Sequence, residues 1–191
     1  MKLTPHRTRR VIAATALASA AILLPAVALA SSGTGSAATI AAAITRCPRA
    51  HLTSWIGLPG NGAAGSTYYQ LEISNISGTT CTLYGFPGVS AIGPNGKQLG
   101  SAAGRNHVHI PHVVTLAPHQ TAHVLLQITN VSNFPVAACQ PATADQLRVF
   151  APGDYTAMTF PFSFRACAKR GPVYLHVSTT IAGTGIPGYS S

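Results

Sequence analysis

Four cysteines, Cys47, Cys81, Cys139 and Cys167, stand downstream of a basic and then apolar N-terminus. Thiols in an exported chain oxidise and stay oxidised, so an even number of them reads first as covalent staples and only then as ligands or nucleophiles. Lys2, Arg7, Arg9 and Arg10 form a positive n-region, Val11 to Leu29 is an uncharged apolar run of 19 residues, and Ala28-Leu29-Ala30 supplies the small-x-small pattern of a signal-peptidase site. Residues 1–30 are therefore expected to be a signal peptide, cleaved after Ala30. Such a run is also long enough to act as a retained membrane anchor, but Pro25 and the abundance of alanine favour cleavage. Arg9-Arg10 has the outline of a twin-arginine signal, which ordinary n-regions also produce. A lipoprotein is excluded, because Cys47 follows Ile44-Thr45-Arg46 and not a small-residue lipobox.

Without residues 1–30, eight Lys and Arg face Glu72, Asp145 and Asp154, a net charge of about +5 with histidines neutral. The eight are scattered and no basic stripe is interleaved with aromatics, so nucleic-acid binding is not expected. Residues 31–46 have the Ser, Gly, Thr and Ala composition of a flexible linker. One domain is expected over 47–182, with 183–191 a disordered tail.

Within the domain, short β-branched and aromatic runs alternate with Gly, Pro and Asn. Strands are predicted at 52–57, 67–75, 82–86, 89–93, 113–116, 121–130, 146–151, 159–165 and 173–181. In the second, Tyr69, Leu71 and Ile73 point one way and Gln70, Glu72 and Ser74 the other. In the sixth, Val124, Leu126 and Ile128 form the buried face opposite His123, Gln127 and Thr129. With Gly93-Pro94-Asn95-Gly96 as a hairpin turn, this period-2 burial predicts an all-β, antiparallel sandwich. Only Ala142 to Gln146 suggests a helical turn. The residues alone leave open which of three connectivities the cysteines adopt; a zinc site built from them is disfavoured by the lack of a Cys-x-x-Cys pair.

The runs Gly62 to Tyr69 (GAAGSTYY), Asn75 to Ser90 (NISGTTCTLYGFPGVS), Leu116 to Thr121 (LAPHQT), Cys139 to Asp145 (CQPATAD) and Phe162 to Cys167 (FSFRAC) resemble an actinobacterial secreted family catalogued as domain of unknown function 4232. The resemblance is collinear from Cys47 to about Val177. It implies a secreted or cell-envelope domain with an immunoglobulin-like sandwich and disulfides in chain order, Cys47 to Cys81 and Cys139 to Cys167. It implies no activity. His107, His109, His112, His119 and His123 are more histidines than the family's central hairpin leads one to expect.

Those histidines are the candidate metal ligands. His107 and His109 would share one strand face, with His112 just past Pro111, and His119 and His123 would approach if 113–116 and 121–130 form a hairpin. Against this, no carboxylate lies nearby, and solvated surface histidines are the simpler expectation. Catalysis is not expected: Glu72 should lie on an exposed strand face, Asp145 and Asp154 in turns, and neither a Gly-x-Ser-x-Gly elbow nor a His-Glu-x-x-His helix is present. No cofactor is expected. The sequons Asn75-Ile76-Ser77 and Asn130-Val131-Ser132 are read as chance occurrences. Most aromatics, with Trp55 and the Phe160, Phe162, Phe164 row, should fill the core, while Tyr68 and Tyr84 would give a stacking surface if one sheet face exposes both. The expected whole is a monomeric, non-enzymatic module with an unknown envelope partner, carbohydrate or protein, touching the membrane only if its signal segment is retained.

Overall fold

A computed structural model of the chain describes residues 44–188. The expected signal peptide, nearly all of the linker and residues 189–191 of the tail lie outside the described residues. Twelve strands follow in order: β1 (Leu52–Ala63), β2 (Ser66–Asn75), β3 (Cys81–Tyr84), β4 (Gly88–Ile92), β5 (Gln98–Leu99), β6 (Gly104–Arg105), β7 (Val113–Leu116), β8 (Thr121–Thr129), β9 (Pro141–Phe150), β10 (Ala157–Cys167), β11 (Leu175–Val177) and β12 (Ile181–Ala182). A four-residue helix, α1 (Val136–Cys139), precedes β9. Among the described residues, no helix is long and apolar enough to cross a membrane.

The architecture is an all-β, immunoglobulin-like sandwich. One sheet runs β1-β2-β8-β11-β6, with β12 also paired to β8; a second runs β10-β9-β4-β5; β3 and β7 form a small third pair. Every ladder is antiparallel except the short contact of β6 with β11. Alternation explains the core. Leu71 and Ile73 of β2, Val124 and Leu126 of β8, Leu147 and Val149 of β9, Val89 and Ala91 of β4, and Leu83 of β3 are shielded from water and pack as one cluster. Burial of such side chains is worth roughly 1.5–3 kcal/mol each, the dominant favourable contribution to folding. Phe160, Phe162 and Phe164 pack on the edge of this cluster, and Phe162 meets Tyr69 edge-to-face at 5.1 Å.

The Gly93-to-Gly96 turn forms as expected, with Gly96 donating to the Gly93 carbonyl at 2.9 Å and β4 pairing with β5. Both disulfides are closed in chain order, Cys47 to Cys81 and Cys139 to Cys167. The first ties the start of the domain to β3, and the second ties α1 to the end of β10.

Four local expectations are corrected. Residues 142–146 are extended within β9, because the ladder to β10 engages Ala142, Thr143, Ala144 and Gln146 and β4 joins on the other side from Gln146 onward, while α1 forms one segment earlier behind Pro135. The expected strand over 173–181 divides into β11 and β12, since Thr180 leaves the ladder and donates through its backbone N–H to the Gly85 carbonyl at 3.0 Å. Thr45 and Arg46, assigned to the linker, are tied into the domain: Thr82 donates to the Thr45 carbonyl at 2.9 Å and Arg46 reaches the Gly153 carbonyl at 2.8 Å. Trp55 is 41% exposed on the outer face of β1 and does not join the core, because it alternates with the inward-facing Ser54 and Ile56.

Candidate functional site

The histidines do not gather. His107 and His109 lie in a turn between β6 and β7, so they do not share a strand face, and His107, His109 and His112 are all exposed. Asn106 sets this turn by accepting the Val108 N–H at 3.1 Å, and His107 lies against the Phe86 ring at 4.8 Å. No β7–β8 hairpin brings His119 to His123, because β7 pairs with β3 while β8 pairs with β2. Among the described residues, no group of three or more His, Cys, Asp or Glu side chains is placed to hold a cation. The four cysteines are consumed by disulfides.

Tyr68 and Tyr84 belong to different sheets, so they form no common stacking surface: Tyr68 lies in β2 and Tyr84 in the β3–β7 pair. Glu72 overturns its expected exposure. It is 1% exposed, although it does point away from the core as the alternation requires. Its cover is the segment 183–188. The expected loose tail is thus a folded strap over these residues, with Gly185 donating its N–H to Glu72 Oε1 at 2.9 Å. Burial pushes the Glu72 carboxyl up to about 7, with the Gly185 N–H opposing in part. Asp145 is exposed on β9 and not in a turn. Asp154 does occupy a turn, where its Oδ1 accepts the Thr156 N–H at 2.8 Å and this bond holds its carboxyl below the ordinary value.

A surface the sequence did not single out lies between β4, β6 and the turn after β9. Phe86, Gly88, Arg105, Phe150, Asp154 and Tyr155 line an open groove there. The Arg105 guanidinium sits 5.6 Å from the Phe86 ring centre and the Arg148 guanidinium 5.7 Å from that of Phe150. Tyr155 is 95% exposed. Arg46 fixes the adjoining turn by donating to Gly153, whose φ of +72° suits a residue without Cβ. Gly88 leaves the Phe150 ring accessible, since a Cβ there would contact it at 3.4 Å. An exposed tyrosine ring in a groove that also holds a guanidinium and a carboxylate can stack on an apolar plane while those groups bond hydroxyl or charged groups at its rim. The available signal was Tyr155 itself, an aromatic residue placed just after a Pro152-Gly153-Asp154 turn, where no strand alternation would bury it.

A family model described as domain of unknown function (DUF4232) matches residues 47–181. The chain belongs to this family. No curated protein matches the chain. The DUF4232 match contains both disulfides, the groove residues and Glu72, and it ends before the strap at 183–188.

Proposed function

We propose that this DUF4232 domain is an exported actinobacterial module, monomeric and non-enzymatic, that binds a carbohydrate or protein component of the cell envelope through the groove of Phe86, Arg105, Phe150 and Tyr155. The observation carrying the reading is Tyr155, which stands 95% exposed beside that groove. An exposed aromatic ring keeps its apolar faces in water unless a ligand covers it. Two closed disulfides and no free cysteine among the described residues support an oxidising compartment. The non-enzymatic reading is supported by the carboxylates: Glu72 lies under the strap, Asp145 on the outside of β9, and Asp154 is engaged by Thr156.

Co-sedimentation of the purified protein with isolated cell wall tests this. An Arg105→Ala, Tyr155→Ala double variant should lose about tenfold or more in retention, since loss of a stacking ring and a cation costs about 1.4 kcal/mol or more. Equal retention of the double variant and the parent would refute the groove as the binding surface.

A further inference from the structure

We infer that the segment 183–188 is a proton-operated latch, lying across the outer face of the large sheet while Glu72 holds a proton and lifting from it when Glu72 ionises. The face is built by strand register. Trp55 of β1 stands opposite Glu72, Glu72 stands opposite His123 of β8, and His123 stands opposite Ile181 of β12, so these side chains form one row on the side away from the core.

The strap crosses this row from β8 towards β1. Gly183 donates to the Thr121 carbonyl at 2.9 Å and accepts from His123 Nδ1 at 2.8 Å. Gly185 reaches Glu72, and Pro187 lies so close to Gly57 that a Cβ there would stand 3.1 Å from it. Upstream, Thr179 and Thr180 are held by the Gly85 carbonyl and Gly183 by Thr121 and His123, so the segment pivots at Gly183, where φ is +89°, and lifts beyond it.

The covered carboxyl is poorly compensated as an anion. Glu72 Oε1 has one bond, to Gly185, and buried Oε2 has no hydrogen-bond partner among the described residues. A neutral carboxyl tolerates that environment, whereas an ionised one recovers its hydration only if the strap departs. No other acid or base faces it from β1, from the rest of β2 or from residues 183–188, whose sequence is uncharged. His123 faces it from β8, and His119 lines the adjoining groove with Thr121, Gly183 and Thr184. His123 Nδ1 can donate to Gly183 whether or not the ring is charged, so that contact stays while the one beneath Gly185 fails.

The sign follows from linkage. With the strap down the carboxyl titrates at about 7, and with it lifted at its ordinary 4.5. Covering is therefore strongest at low pH, weakens as pH rises between these two values, and levels off above the higher one.

Amide hydrogen exchange beyond Gly183, above all at Gly185, in the full chain, corrected for intrinsic base catalysis, reads the opening. Protection should fall about tenfold per pH unit through this window, on the order of 100-fold in all. Acrylamide quenching of Trp55, the single tryptophan of the chain, should rise in parallel. Glu72→Gln should abolish both trends and leave the strap closed. Protection independent of pH in the parent, or an unchanged trend in Glu72→Gln, overturns the latch. Should that variant fail to fold, carbon-13 NMR titration of the Glu72 carboxyl in the parent decides: a midpoint within about a unit of 7 supports the latch, and one near 4.5 refutes it.

Discussion

Asn75 Nδ2 donates to the Leu116 carbonyl at 3.0 Å in a buried contact that joins the end of β2 to the end of β7. The same amide reaches the Thr79 carbonyl at 2.8 Å, and its Oδ1 accepts from the Ser77 N–H at 3.0 Å and the Ser77 hydroxyl at 2.7 Å. The Asn75 backbone adds bonds to Gln120 and His119. The side chain and backbone of one fully buried residue therefore fix the turn into β3 and the entry to β8 together.

Asn75→Ala should destabilise the domain by about 3 kcal/mol in urea unfolding, because it leaves several buried polar groups unpaired. Asn75→Asp should also destabilise at neutral pH, by turning the amide donor into an acceptor facing the Thr79, Leu116 and Ala117 carbonyls, and should recover partly in acid. A loss below about 1 kcal/mol in Asn75→Ala would contradict this role. The same burial means that the Asn75 sequon cannot be glycosylated in the folded domain, which intact mass after expression in a glycosylating host will check.

Leu126 occupies the centre of β8 with no exposed surface, pairing with Tyr69 on one side and Val177 on the other. Truncation to alanine should cost about 3 kcal/mol, combining lost transfer energy with a cavity the two sheets cannot close. Denaturant midpoints at an unchanged slope measure it, and a cost under about 1 kcal/mol would show the core to be loosely packed there.

The disulfides close loops of similar length, 34 and 28 residues. In the chain-entropy picture each contributes about 3.5 kcal/mol, and the two differ by only a few tenths. Replacing Cys47 and Cys81 by alanine, and separately Cys139 and Cys167, should therefore lower stability by comparable amounts. A gap above about 2 kcal/mol between the two variants would mean that loop closure does not set their worth.

Gly185 has no room for a side chain, since a Cβ there would stand 2.5 Å from Gln70 Oε1 and 2.7 Å from Gln70 Cγ. Gly185→Ala should raise exchange across 183–188 at every pH, with little change in the unfolding midpoint, because the strap lies outside the core. Unaltered exchange would show that Gln70 gives way instead.

The sandwich was legible in the pattern of residues alone. Alternation over 67–75 and 121–130 places Leu71, Ile73, Val124 and Leu126 on one side whatever the strands pair with, because successive side chains of an extended chain must point in opposite directions. The Gly93-to-Gly96 turn was legible for an equally local reason, as its hydrogen bond joins residues three apart. Partners across the fold decided the rest. Residues 142–146 are extended because β10 pairs along them, and His119 and His123 stay apart because β3, and not β8, takes β7.

Glu72 marks the same divide. Alternation puts it on the outer face correctly, and nothing local could reveal that residues more than a hundred positions later return to cover it. The groove likewise assembles Phe86, Arg105, Phe150 and Tyr155 from separate segments. Periodicity fixes which way a side chain points, since it is a property of the local backbone; what lies above that side chain depends on packing between segments far apart in the chain.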